Sequence, residues 1–60
     1  MDVDEAIKWC IVNNATVKFT HELTVQVRCN IVRLTLGISY VEGLNLVEAI
    51  ETAQEKTRDL

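Results

Sequence analysis

The stretch VQVRCNIVRLTL, from Val25 to Leu36, decides how this chain is expected to fold. Its apolar residues alternate with polar ones, as in a half-buried strand, but the alternation changes sides midway. Apolar residues occupy odd positions up to Cys29 and even positions from Val32 onward. Side chains in a strand have a period of two, so this change would move the apolar residues to the opposite face. A turn that divides the stretch into two paired strands restores a single apolar face.

We place Asn30 and Ile31 at the centre of a two-residue hairpin turn. In this register Cys29 faces Val32, and the apolar pairs beyond them also fall on one side of the sheet. Ile31 is the weak point, because a type I′ turn needs positive φ at both central residues and a β-branched side chain resists it. A bulge at Asn30 within one long strand is the alternative interpretation.

Capping-box patterns predict the beginnings of two helices. Asp2 with Glu5, and Asn45 with Glu48, have the required spacing. The predicted apolar stripe of the first helix comprises Val3, Ala6, Ile7, Cys10 and Ile11. The predicted stripe of the last helix comprises Leu46, Val47, Ala49, Ile50, Ala53, Thr57 and Leu60. Each stripe is typical of a helix that packs on a core.

Between the helices, the segment TVKFT from Thr16 to Thr20 alternates as a further half-buried strand. A three-residue loop, 20–22, would place Phe19 opposite Leu23, so that the apolar sides agree. The sequence therefore predicts one α+β domain, 1–60, with two layers. Its expected order is helix, three-stranded antiparallel meander, helix (αβββα), with both helices on one face of the sheet.

A chain of 60 residues, of which 48% are hydrophobic, has more apolar side chains than so small an interior holds. Small domains commonly gain stability by oligomerisation, so we expect a symmetric homodimer. The candidate interface residues lie off the first helix's stripe or in the connector before the last helix. They are Trp9, Val12, Tyr40, Val41 and Leu44. The alternative interpretation is that Trp9 folds over the helix junction of its own monomer.

The polar side of the predicted sheet carries Lys18, Arg28 and Arg33. In the hairpin register Arg28 stands opposite Arg33, and like charges so placed are destabilising unless an anion neutralises them. These residues are therefore a candidate site for a small anion or a nucleotide. The alternative interpretation is that both arginines extend into water and that their stems cover the sheet.

The sequence contains little that indicates catalysis or metal binding. Its one histidine, His21, falls in a predicted turn, and Cys10 and Cys29 lack the close spacing of zinc ligands. We expect a non-catalytic protein without metal or cofactor, with both thiols buried and reduced.

The opening MDVDEAIKWC does not have the pattern of a signal peptide, and no run approaches the roughly 18 apolar residues of a membrane span. A cytoplasmic protein is therefore expected.

The predicted layout resembles that of double-stranded RNA-binding domains. That family carries a lysine cluster where this chain reads NLVEAIETAQ, and the net charge here is −3, so we do not expect nucleic-acid binding.

The segments DEAIKWCIVNNATVKF and LVEAIETAQEK resemble small bacteriophage accessory proteins. That resemblance implies an oligomeric, non-catalytic protein in the host cytoplasm that binds a host protein, for example as an inhibitor of host defence.

Overall fold

The computed structural model describes residues 1–58 of the chain. In chain order the elements are α1 (Val3–Val12), β1 (Thr16–Phe19), β2 (Val25–Arg28), α2 (Asn30–Leu36), β3 (Val41–Gly43) and α3 (Leu46–Arg58). The strands form one antiparallel sheet in the order β1-β2-β3. The predicted α+β class is confirmed, but the order differs because a helix separates the second and third strands.

Both predicted helix starts are confirmed, and side-chain caps hold them. Asp2 Oδ1 accepts the N–H of Glu5 at 2.8 Å, and Asn45 Oδ1 accepts the N–H of Glu48 at 2.9 Å. The carboxylate of Glu48 in turn accepts the N–H of Leu44 at 3.1 Å. The bonds to Glu5 and Glu48 satisfy amides that the first turn of a helix otherwise leaves without partners, and the bond from Leu44 ties down the residue before the cap.

The predicted third strand is wrong, because Asn30–Leu36 is the helix α2. Neither a hairpin turn nor a bulge occurs at Asn30 and Ile31, which are the first two residues of that helix. Val32 is fully buried, and Leu36, four residues later, is packed against the core. The two residues fit helical spacing as well as they fit strand alternation, and packing favours the helix.

Gly37 ends α2 in the left-handed conformation, with φ at 69°, and donates its N–H to Arg33 O at 3.0 Å. Glycine is the usual residue here, because side chains with a Cβ disfavour positive φ. The chain then returns to the sheet as β3, where Val41 pairs with Val27. The sequence had predicted a loose connector in this segment.

The first hairpin has the predicted apolar side but a different register. Phe19 pairs with Val25 and not with Leu23. A shift of two residues keeps every side chain on its face, so the apolar sides still agree. The longer loop is closed by the Leu23 N–H, which donates to Thr20 O at 3.2 Å, and by a 2.6 Å hydrogen bond between the hydroxyls of Thr20 and Thr24.

The core lies between one face of the sheet and all three helices. Helix α3 packs over β3 and β2, and α1 and α2 flank α3. The buried residues are Ala6, Val25, Val27, Val32, Val41, Ala49, Ile50 and Ala53. They form one cluster, which confirms that the first and last helices lie on the same sheet face. The predicted stripe of α3 is confirmed at its buried residues, whereas Leu60 lies outside the described residues.

Helix α1 turns a different side toward the core than the sequence predicted. Ala6 is its one buried residue, with Trp9 and Cys10 partly buried beside it. Val3, Ile7 and Ile11, all predicted to be core residues, are 55%, 44% and 73% exposed. Successive residues of a helix are roughly 100° apart around its axis. The buried side of α1 lies somewhat less than this angle away from the predicted stripe. Both isoleucines consequently lie at the surface.

Gly43 provides a test of the packing between β3 and α3. A Cβ at this position would lie 2.5 Å from Ala49 N and 2.9 Å from Ala49 Cα. Backbone atoms of a packed helix cannot yield, so we expect Gly43→Ala to lower the free energy of unfolding by about 3 kcal/mol or more in urea denaturation.

Gly37→Ala is the matched control. Its Cβ would meet nothing within 4 Å, so the substitution adds only the strain of a positive φ, about 1–2 kcal/mol. Equal losses of stability in the two variants would contradict the close approach of β3 and α3.

Candidate functional site

The structure separates the residues that the sequence predicted to form an interface. Val12, Tyr40 and Leu44 are exposed, but Trp9 packs partly on the core of its own domain. Val41 is 3% exposed, so it is not available to a partner. Its assignment to the interface is corrected because the segment is a core strand and not a connector.

Exposed apolar side chains gather beside β1, since α3 packs mainly over the other two strands. One shallow depression lies between α1 and β1, and a second lies between the β1–β2 loop and the start of α3. Phe19 and Leu46 line both depressions, so the surface is continuous. We call it the β1 apolar face; its exposed members are Ile7, Ile11, Phe19, Leu23 and Leu44, with Val17 and Leu46 partly buried beneath them.

The β1 apolar face is large for a domain of this size. Phe19 alone is 75% exposed. From the areas of such side chains, the five exposed members present on the order of 600 Å², the upper end of the range for the largest patch on a typical monomer. Patches of this size are often functional, so the β1 apolar face is a candidate interaction surface.

The outer edge of β1 adjoins this face, and no strand within residues 1–58 pairs with it. Thr20, just after β1, donates its N–H to Thr24 O at 3.0 Å, so its backbone faces β2. Hydrogen-bonded pairs alternate along an antiparallel ladder, so the backbone groups of Val17 and Phe19 face outward. The edge can therefore accept a strand from another chain.

Arg28 and Arg33 do come together, although not across a hairpin. They line an open cleft of about 340 Å³ between the end of β2 and the start of α2. We call it the arginine cleft; its other lining residues are Asn14, Thr16, Cys29, Asn30 and Ser39. Lys18 does not line it, because this residue lies further along β1, where it pairs with Gln26.

Neighbouring side chains hold both guanidinium groups of the cleft. The guanidinium carbon of Arg28 lies 5.7 Å from the ring centroid of Tyr40, within the range of a cation–π contact. Arg33 Nη2 donates to Asn30 Oδ1 at 3.3 Å. Within residues 1–58, neither guanidinium has a carboxylate oxygen within 4.0 Å. The lining of the cleft thus includes two arginines whose charges no described carboxylate neutralises.

The carboxylates gather elsewhere. Glu42, Glu48, Glu51 and Glu55 line a depression between β3 and α3. Glu42 is engaged locally, since its carboxylate accepts from Thr24 Oγ1 at 2.8 Å. Among the residues that the structure describes, no group of three or more acidic, histidine or cysteine side chains is arranged to hold a metal ion.

Cys10 and Cys29 are free thiols, and both are partly buried where full burial was predicted. Burial raises the pKa of the Cys10 thiol, and the nearby Cys29 raises it further. A raised pKa leaves less of the reactive thiolate at neutral pH, so Cys10 is poorly suited to be a nucleophile. His21 is exposed in the β1–β2 loop, as predicted.

Comparisons with protein-family models, with curated proteins and with solved structures find no match to this chain. In the described part of the chain, every helix is too short or too polar to cross a membrane. The candidate functions therefore rest on the two surfaces, the β1 apolar face and the arginine cleft.

The raised pKa of Cys10 leads to a prediction for alkylation. We expect Cys10 of the folded protein to react with iodoacetamide several-fold more slowly than Cys10 of the urea-unfolded chain, and its rate to rise only at higher pH, because the thiolate forms later. Pulse labelling followed by peptide mass spectrometry measures both rates. In Cys29→Ser the rate–pH curve of Cys10 should move toward lower pH. Identical curves for folded and unfolded protein would contradict this assignment.

Proposed function

We propose that this chain is a non-catalytic binding protein that works as a symmetric homodimer joined through the β1 apolar face. The observation that carries this proposal is that the apolar face continues directly into the free edge of β1. An apolar patch alone offers area, and a strand edge alone offers hydrogen bonds. Here the same strand offers both to one partner, and a second copy carries the matching surface by symmetry.

Antiparallel pairing of the two β1 strands about a two-fold axis would join the sheets of both copies. Phe19 lies on the sheet face that the helices cover, because it pairs with the buried Val25. In the joined sheet it would face the partner's side chains on that same side. Ile7 and Ile11 of α1 line the depression above β1, so they would extend the contact between the two helices.

Lys18 restricts the register of this pairing. Its side chain points to the outer sheet face, away from the neighbouring Val17 and Phe19. A symmetric register centred on Lys18 would place two like charges directly opposite, which is destabilising. Registers centred on Val17 or on Phe19 avoid this contact and also use the outward-facing backbone groups.

The available area suits a dimer. A standard interface buries about 800 Å² per partner, and the exposed members of the β1 apolar face supply roughly 600 Å² of it before backbone and rim atoms are included. The domain also gains from association, since its largest fully buried side chains are only Ile50, Val27 and Val32. A small core of this kind leaves a monomer marginally stable, and dimerisation stabilises it by mass action.

A host protein as the further partner, with inhibition of host defence as the outcome, is proposed on the resemblance to bacteriophage accessory proteins. The dimer would leave the outer sheet face and the exposed side of α3 uncovered for such a partner. A non-catalytic role is in keeping with the raised pKa of Cys10 and with the open loop position of His21.

Phe19→Glu tests the dimer. The substitution places a charge in the centre of the proposed interface, while the 75% exposure of Phe19 means that the folded monomer should tolerate it. In sedimentation velocity at low micromolar concentration we expect the unsubstituted protein to be a dimer and Phe19→Glu to be a monomer with an unchanged circular dichroism spectrum.

Leu34→Glu is the matched control. Leu34 is 78% exposed on α2, outside the β1 apolar face, so this variant should remain a dimer. A monomeric unsubstituted protein, or a Phe19→Glu variant that dimerises like Leu34→Glu, would refute the proposed interface.

A further inference from the structure

We propose that the arginine cleft is a binding site for a phosphate group, either free phosphate or the phosphate of a nucleotide. The proposal concerns a different surface from the β1 apolar face and does not depend on dimerisation. It rests on the charges in the cleft, on the neutral groups around them, and on the contacts that orient the arginines.

The charges of the cleft favour a dianion. Arg28 and Arg33 line the same cleft, and within the described residues no carboxylate lies within 4.0 Å of either guanidinium. A phosphate with charge near −2 would neutralise both. Guanidinium groups also match phosphate geometrically, because each can donate two parallel N–H bonds to a pair of oxygens.

The neutral lining of the cleft adds groups that can donate to phosphate oxygens. Thr16 and Ser39 contribute hydroxyls, and Asn14 contributes an amide. Thr16 pairs with Arg28 across the β1–β2 ladder, so its side chain lies on the same sheet face as that arginine. No acidic residue lines the cleft, which therefore lacks the groups that would repel an anion.

The arginines are also partly preorganised. Tyr40 holds the guanidinium of Arg28, and Asn30 holds that of Arg33. Binding costs less side-chain entropy when the donors are already restricted. The cleft, at about 340 Å³ and open to solvent, has room for a group attached to the phosphate.

The protein's net charge of −3 does not exclude this site. Screening limits the reach of exposed charges to about 8 Å at physiological ionic strength, so the local set of groups decides the potential in the cleft. The glutamates of α3 line a separate depression between β3 and α3. The cleft is thus a positive surface on an acidic protein.

The test is an NMR titration of the isotope-labelled full chain with inorganic phosphate and, separately, with adenosine monophosphate, at constant ionic strength set by chloride. We expect saturable shifts of the backbone amides of Thr16, Asn30 and Ser39. Loss of one charge-assisted donor pair should weaken phosphate binding about tenfold or more in Arg33→Gln and in Arg28→Gln.

Lys18→Gln is the matched control, since it removes the same charge from the sheet without touching the cleft. It should bind phosphate as the unsubstituted protein does. If adenosine monophosphate binds more tightly than inorganic phosphate, the cleft is a nucleotide site. If the two bind equally, the cleft recognises the phosphate group alone. Both results support the proposal.

Absence of saturable shifts would overturn the phosphate site. An equal loss of phosphate affinity in Lys18→Gln and Arg33→Gln would also overturn it, because general charge attraction would then explain the binding. Both arginines are exposed, so either single variant decides the question if the other fails to fold. Phosphate binding by monomeric Phe19→Glu should be unchanged, which keeps failure of this site distinguishable from failure of the dimer.

Discussion

The close approach of α3 to the sheet is the constraint on which the rest of this structure depends. Gly43 lies against the backbone of Ala49, where any Cβ would collide, and Ala53 is fully buried on the same helix. Small side chains on both sides let the helix lie tightly over β3 and β2. Because one helix so placed cannot also cover β1, the inward-facing Phe19 is left exposed. The apolar surface beside β1 is therefore a consequence of how the core is packed.

The position of α1 follows from the same packing. Ala6 is fully buried, as are the alanines of α3, and small residues permit two helices to approach closely. Turning Ala6 inward moves Ile7 and Ile11 to the side, above the free edge of β1. Ile7 and Ile11 are thus placed where a second molecule can cover them, while Ala6 contributes to the core with Trp9 and Cys10 partly buried beside it.

Local signals in the sequence predicted local structure well. Both predicted helix starts depend on residues three apart, and in each the side chain of the cap residue accepts the N–H of the glutamate. Helix α2 was missed because Val32 and Leu36 satisfy a strand period of two and a helical spacing of four equally. The left-handed Gly37 after Leu36 is a helix-ending signal that could have decided between them. Arg28 and Arg33 were predicted to lie near each other, but from the wrong geometry. They are close in the chain, so a hairpin and the observed strand followed by a helix both keep them near each other.

The side of α1 that faces the core could not be read from the sequence, because apolar residues surround much of the helix and tertiary packing chooses among them. This choice also bears on how the two candidate surfaces are related. Asn14, in the turn after α1, lines both the arginine cleft and the depression between α1 and β1. That turn is held by Ala15 N–H, which donates to Cys10 O at 2.8 Å, and by Asn13 Nδ2, which donates to Trp9 O at 2.9 Å. Coupling between distant ligands requires an element with two arrangements that both ligands bias. Because these bonds hold the turn in place, we expect ligands at the two candidate surfaces to bind independently of each other.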